Sequence, residues 1–186
     1  PWFSFSLDNS RTSGFLAPTY RLSQRNGLDL TVPWYWNIAP NYDATIEPRY
    51  LSKRGLQLGG QFRYIEPTFI GEIQADYLSD SETGTQRYQY MLRHQQQFGS
   101  GWSGNILLDR VSDNNYFTDL SSHIQLTSKT QLPGQARLNY QGNTWGGGTF
   151  IQSFQTSIRR RLLKLPRTLK RRRNSRRRSK CYRNFC

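Results

Sequence analysis

Apolar and polar residues alternate along most of the chain, and the pattern is clearest in NYDATIEPRY at residues 41–50. Its even positions hold Tyr, Ala, Ile, Pro and Tyr, whereas its odd positions hold Asn, Asp, Thr, Glu and Arg. Successive side chains of a β-strand point to opposite faces. A strict period of two over ten residues therefore predicts a strand with one apolar and one charged face.

The same alternation recurs from residue 14 to residue 156, with turn residues between the segments. Asn26-Gly27 is a strong hairpin signal after the first segment. The pattern predicts about ten antiparallel strands. In the last one the apolar residues fall on both odd and even positions, so its alternation is not regular. The predicted strands cover 14–22, 28–36, 41–50, 56–64, 69–77, 87–98, 102–109, 120–132, 134–140 and 145–155.

The length of these segments and their aromatic content favour a transmembrane β-barrel over a soluble sandwich. Strands of soluble proteins have about 5–6 residues, whereas barrel strands need about 9–11. The chain is 14% aromatic but only 35% hydrophobic, which leaves few Leu, Ile and Val for the interior of a sandwich. A transmembrane helix is excluded because the sequence has no run of eighteen apolar residues.

In a barrel the apolar face contacts lipid, the polar face lines a lumen, and Tyr and Trp lie near the membrane boundaries. We expect Trp34, Tyr35 and Trp36 to be such interface aromatics. The residues at the polar positions of the alternating pattern are predicted to line the lumen. They either form a hydrated inner wall or provide a path for the sugar and phosphate groups of a lipid. These residues are Asn41, Asp43, Glu47, Arg49, Arg63, Glu72 and Asp76.

The sequence carries no sign of catalysis. It has no paired carboxylates at a useful spacing, no nucleophile elbow and no metal-ligand spacing. His94 and His123 each stand alone in strand-like segments. We therefore expect neither an enzyme nor a bound metal or cofactor.

Four stretches of the chain carry a family resemblance: PWYWNIAPNYDATIEPRYLSKRGLQLGGQFRY at 33–64, RVSDNNYFTDLSS at 110–122, SGFLAPTYRLSQRNGLDL at 13–30 and PWFSFSLDNSR at 1–11. They resemble the LptD family of outer-membrane lipopolysaccharide-assembly proteins. The resemblance implies that residues 1–13 end a periplasmic β domain and that residues 14–156 are strands of a larger outer-membrane barrel. It also implies a Gram-negative outer membrane as the location.

The family resemblance also implies the partners of the barrel: lipopolysaccharide, an LptE-type lipoprotein plug, a periplasmic Lpt bridge component and outer-membrane lipids. In the family, lipid leaves through a lateral gate whose seam is weakened by prolines. The matching positions are Pro18 and Pro33. Proline lacks the N–H that a sheet ladder needs, so each could instead only shape a bulge, which is our interpretation of Pro48.

Residues 157–186 have a different composition. The first 156 residues contain 12 Lys and Arg against 12 Asp and Glu, whereas the last 30 contain 14 Lys and Arg and no acid, which accounts for the net charge of +14. This basic tail, disordered or helical, is either an arm for nucleic acid or anionic membranes or the product of a shifted reading frame. Its abrupt start favours the second interpretation, and no role transfers from the family to Cys181 and Cys186.

Two functions follow from these patterns. The first is a part of the lipopolysaccharide translocon, an incomplete portion of its barrel with no expected nucleic-acid partner. The second is a soluble β-sheet binding module with a basic nucleic-acid-binding arm.

Overall fold

A computed structural model describes residues 11–120 and 131–156, so residues 1–10 of the predicted periplasmic end and the basic tail lie outside the described residues. The described residues form eleven strands and one short helix. They are β1 (Gly14–Phe15), β2 (Thr19–Ser23), β3 (Gly27–Thr31), β4 (Trp34–Ala39), β5 (Tyr42–Leu51), β6 (Gly55–Ile65), β7 (Phe69–Asp80), β8 (Thr85–Gly99), β9 (Trp102–Val111), α1 (Tyr116–Leu120), β10 (Gln131–Gln141) and β11 (Gly146–Thr156).

The strands form a single antiparallel sheet in which each long strand pairs with its neighbours in the sequence. From β4 onwards the order is β4-β5-β6-β7-β8-β9-β10-β11, with β1 next to β4 and β2 next to β3. The all-β fold class and the antiparallel arrangement are therefore confirmed. Within the described residues, β1 and β2 form one edge of the sheet and β11 forms the other.

The first hairpin is interrupted at the two prolines named above. Pro18 lies between β1 and β2, and Pro33 lies between β3 and β4. The β2–β3 register pairs Thr19 with Thr31, whereas the β1–β4 register pairs Phe15 with Trp34. Three residues on one strand thus face two on the other, which is the signature of a β-bulge. Pro48 differs from our interpretation, because β5 keeps one register with β6 through it.

Strand pairing divides the side chains between two faces, which we name the polar face and the apolar face. The polar face carries the odd positions of β5 and β6, the even positions of β7 and the odd positions of β8. The apolar face carries the opposite set. The parity read from the sequence therefore corresponds to the two faces of the sheet.

The two ends of the strands also differ. The helix end holds the turns at 24–26, 52–54 and 81–84 together with α1, and the pocket end holds the turns at 40–41 and 66–68.

The predicted eighth strand, 120–132, is wrong at its start, because Leu120 ends α1. Residues 121–130 lie outside the described residues, and β10 runs through Pro133. Among the described residues, no helix is long and apolar enough to cross a membrane.

Candidate functional site

At the helix end, α1 packs against the sheet and covers part of the polar face. Tyr116, Phe117 and Leu120 of this five-residue helix are buried. They join Leu51, Leu78, Val111 and Leu132 in one apolar cluster. A helix this short is not stable alone, so its contacts with the strands hold it in place.

Beside this cluster lies a buried group of two arginines and one carboxylate. Asp80 is fully buried and accepts hydrogen bonds from Arg54 Nη1 at 2.6 Å and Arg87 Nη1 at 3.2 Å. Arg54 also donates through Nε to Asn26 and forms an ion pair with Glu82 at 3.0 Å. A buried charge is tolerated when it is paired and hydrogen-bonded, and each partner here satisfies that condition.

The same network holds the segment that carries α1. Arg87 donates from Nε and Nη2 to both oxygens of Asp113, each at 2.9 Å, and from Nη1 to Asp119 at 3.2 Å. Burial would raise the pKa of Asp113, but the hydrogen bonds from Arg87 and Ser112 outweigh it and lower that pKa. Asp113 is therefore ionised at neutral pH, and it anchors the segment to β8.

Arg49 connects α1 to the strands on the other side of the cluster. It binds both carboxylate oxygens of Asp29, at 2.8 and 2.6 Å, and donates to the carbonyl of Leu120 at 2.9 Å. Gln57 donates to the hydroxyl of Tyr116 at 3.4 Å. Burial raises the pKa of Tyr116 far above the usual tyrosine value, so this hydroxyl stays neutral.

At the pocket end, the polar face carries a second row of alternating charges that no helix covers. Arg63 donates to both oxygens of Asp43, at 2.8 and 2.9 Å. Arg11 lies 3.4 Å from the same carboxylate, and Tyr35 donates to it at 3.2 Å. On the next strands Arg93 donates to Glu72 at 3.4 Å. The three arginines and the two carboxylates, but not Tyr35, line an open cavity of about 390 Å³.

The remaining members of the predicted polar set lie on or beside the same face. Glu47 and Asp76 share one cross-strand row with Gly59 between them. A Cβ at Gly59 would lie 2.6 Å from an Asp76 oxygen, so the glycine makes room for that carboxylate. Asn41 lies in the β4–β5 turn and donates to Glu66.

The apolar face carries aromatic side chains toward both ends of the strands. Toward the pocket end, Tyr42, Phe62, Tyr64, Phe69 and His94 form a chain of ring contacts with centroids 5.8–6.2 Å apart. The same end also has contacts among Trp102, Tyr140 and Trp145. Toward the helix end the exposed aromatics are Tyr20, Tyr50, Tyr77, Tyr88 and Tyr90.

The three predicted interface aromatics do not lie together. Trp34 and Trp36 share the apolar face, with ring centroids 5.8 Å apart. Tyr35 differs from our expectation, because it lies on the polar face and donates its hydroxyl to Asp43. Alternation along β4 makes this separation unavoidable, since neighbouring residues of a strand point to opposite sides.

Several residues of the site were not identified from the sequence. Arg54 lies in a turn motif and Asp80 beside a loop, so neither belonged to the alternating pattern. Residues 116–120 interrupt the alternation only briefly, in the longer loop after β9. The aromatic pair Tyr116-Phe117 inside that polar loop was the one available signal of a buried contact.

The family described as LPS transport system D, LptD, matches residues 85–182, which is more than half of the chain. The chain belongs to the LptD family. The LPS-assembly protein LptD of Azoarcus sp. strain BH72 is 49% identical over 158 residues, covering 84% of this chain and 19% of the relative.

Other LptD proteins give the same result. The LPS-assembly protein of Paraburkholderia xenovorans is 47% identical over 84% of this chain and 20% of the relative, and that of Nitrosomonas eutropha is 46% identical over 84% and 22%. This chain therefore spans about a fifth of the length of these LptD relatives. The family resemblance drawn from the sequence is confirmed.

Proposed function

We propose that this chain forms part of the wall of a barrel in the outer membrane of a Gram-negative cell, and that this barrel assembles lipopolysaccharide into the outer leaflet. The apolar face contacts outer-membrane lipids and the polar face lines the lumen. The lumen holds an LptE-type lipoprotein, and a periplasmic Lpt bridge component supplies the lipid. The names of the LptD relatives support this function.

The observation that carries the proposal is the apolar face with aromatics toward both strand ends. Tyr and Trp prefer the two membrane boundaries, and apolar residues fill the band between them. Ile46, Leu58 and Ile73 are exposed in that band. The eleven residues of β6, rising about 3.3 Å each and tilted by about 40°, cover about 28 Å, close to the hydrocarbon thickness.

The distribution of charge supports the same orientation. The seven predicted lumen residues, from Asn41 to Asp76, lie on the polar face or in the turn beside it. An Arg at the lipid midplane would cost about 2–4 kcal/mol. A hydrated lumen removes that cost, so a charged face opposite an apolar one suits a barrel wall.

We further propose that Pro18 and Pro33 weaken a lateral gate. Both prolines interrupt the first hairpin at one level, where the register shifts by one residue. Across the break Leu16 N donates to Pro33 O at 2.9 Å. Because neither proline has an N–H and Pro18 lies at the sheet edge, the seam on that side lacks hydrogen bonds that a regular strand would supply.

The function is tested with an exchange protein: the full-length Azoarcus relative whose matching segment is replaced by that of this chain. In Azoarcus cells depleted of their own protein, we expect the exchange protein to restore lipopolysaccharide at the cell surface. Surface lipopolysaccharide is measured by labelling intact cells. Normal amounts of folded exchange protein in the outer membrane without surface lipopolysaccharide would contradict the function.

The gate is tested in the same cells with Pro18→Val and Pro33→Val together. Restored N–H groups should strengthen the seam and slow export. The control is Pro48→Val, because Pro48 lies in the regular β5–β6 ladder away from the edge. Export that is equal in the gate and control variants would argue against the gate.

A further inference from the structure

The cavity at the pocket end presents cations to solvent and keeps carboxylates beneath them. The side chains of Arg11, Arg63 and Arg93 are each more than half exposed. Their partners lie deeper, with Asp43 only 7% and Glu72 only 24% exposed. A molecule approaching this arginine pocket therefore meets guanidinium groups first.

The arginines retain donor groups that their carboxylates do not use. Arg63 donates from Nε and Nη2 to Asp43, and Arg93 donates from Nη1 to Glu72. Within the described part of the chain, Nη1 of Arg63 and Nη2 of Arg93 donate to no protein group. A guanidinium has five N–H donors in a planar fork that suits phosphate oxygens.

Apolar side chains lie in the same pocket. Ile65 and Ile70 are a cross-strand pair on the polar face, next to Arg63 and Glu72. They are 55% and 46% exposed. Alternating cross-strand charges alone would explain a structural ladder, but they do not explain two exposed isoleucines on a charged face. Two exposed isoleucines beside exposed guanidinium groups form a surface that suits an amphiphilic anion.

We propose that the arginine pocket binds the phosphate group of a phosphorylated glycolipid, with Arg63 and Arg93 on the phosphate and Ile65 and Ile70 against the adjoining apolar part. The proposal rests on the proposed function and specifies where the lipid's phosphate first contacts the barrel wall. The cavity of about 390 Å³ is large enough for a phosphosugar, since ligand pockets usually have about 300–1,000 Å³.

The test uses the exchange protein in detergent micelles with a photoreactive amino acid in place of Gln95, which lines the pocket. The probes are lipid A carrying two phosphates, the same lipid after phosphatase treatment, and inorganic phosphate as a competitor. Variants are Arg63→Gln with Arg93→Gln, and Arg93→Gln alone in case the double variant does not fold. The control is Arg137→Gln, an exposed arginine over Phe150 outside this pocket.

We expect phosphatase treatment and the double variant each to lower lipid capture at least about tenfold, because a charge-assisted hydrogen bond contributes about 1.5 kcal/mol or more. Arg93→Gln alone should lower it severalfold, Arg137→Gln should leave it within about twofold, and competition by inorganic phosphate would support phosphate recognition. Equal capture of both lipids, an equal loss in the Arg137→Gln control, or binding of inorganic phosphate without lipid would overturn the proposal.

A fourth contrary outcome is capture of a protein instead of lipid when the photoreactive protein is irradiated in cells. The two proposals can fail separately. Normal surface export without phosphate-dependent capture would overturn the pocket but leave the function intact. Absent export from a folded protein that still captures lipid A would overturn the function and leave the pocket.

Discussion

The two ends of the polar face contain the same chemistry in different surroundings. At the helix end, Arg54 and Arg87 are almost completely buried with Asp80 beneath α1. At the pocket end, Arg63 and Arg93 pair with Asp43 and Glu72 but remain open to solvent. The difference arises from α1, which covers one row of charges and not the other. Burial, more than residue type, thus separates a structural ion cluster from a surface able to bind a ligand.

The largest expected difference between the two ends comes from the same substitution at each. Asp80→Asn leaves Arg54 and Arg87 buried without their shared carboxylate, so it should lower the free energy of unfolding by about 3–5 kcal/mol. Asp43→Asn leaves arginines that water can reach, so it should cost about 1 kcal/mol or less. Unfolding of the exchange protein in detergent by increasing concentrations of guanidinium chloride measures both free energies. Equal losses would show that burial beneath α1 does not determine how strongly these carboxylates stabilise the protein.

A smaller difference in stability between the two ends is expected when one apolar side chain at each end is shortened to alanine. Leu120→Ala removes a fully buried side chain of α1 and should weaken its docking by about 2–3 kcal/mol, at the lower end of the range for buried leucines because the helix is short. Ile70→Ala at the pocket end removes an exposed side chain and should change stability by no more than about 0.5 kcal/mol. Hydrogen exchange of the amides from 116 to 120 reports the docking. Unchanged protection in Leu120→Ala would show that the apolar cluster does not hold α1.

The smallest effect is expected from pH. Because the pKa of Asp113 lies below its ordinary value, its pairing with Arg87 contributes stability above about pH 4, and that contribution is lost as the pH falls through the lowered pKa. Protection of the α1 amides, corrected for the intrinsic pH dependence of exchange, should therefore stay constant from pH 7 to about pH 4 and then fall. Asp113→Asn should make the step smaller and lower protection throughout, because Arg87 keeps its hydrogen bonds to Asp80 and Asp119. A loss of protection between pH 7 and pH 5 would contradict the role of this pair.

The sequence predicted the sheet well because strand alternation is a local property. Each residue's parity specifies its face, so Asp43, Arg63 and Glu72 were assigned to one face without knowledge of the strand order. The same rule separates Tyr35 from Trp34 and Trp36, and grouping these three by their shared aromatic character overlooked it. The sequence indicated Pro18 and Pro33 as weak points or bulges within the predicted strands 14–22 and 28–36. It showed neither that each strand is broken at its proline nor the one-residue shift between the two breaks.

The helix end could not be predicted in the same way. Five residues are too few to show a helical period, and α1 is stabilised by residues distant in the sequence, including Leu51, Leu78 and Arg87. Arg54 lies within the turn at 52–54, between two predicted strands, so the alternation assigns its side chain to neither face. The pocket end also depends on tertiary position, since exposure decides its character and the alternation does not report exposure.

In this structure α1 covers one end of the polar face and leaves the other end open. Two single-cysteine variants of β6 test it directly: Gln57→Cys, at a position buried beneath Tyr116, and Ile65→Cys, at a position exposed in the arginine pocket. Both positions lie on the polar face of one strand, so they differ chiefly in the cover above them. The rate of reaction with a hydrophilic maleimide is measured in the exchange protein. We expect the Ile65→Cys variant to be labelled at least about tenfold faster than the Gln57→Cys variant, because α1 covers position 57 only. Equal rates would show that α1 does not cover that end of the polar face.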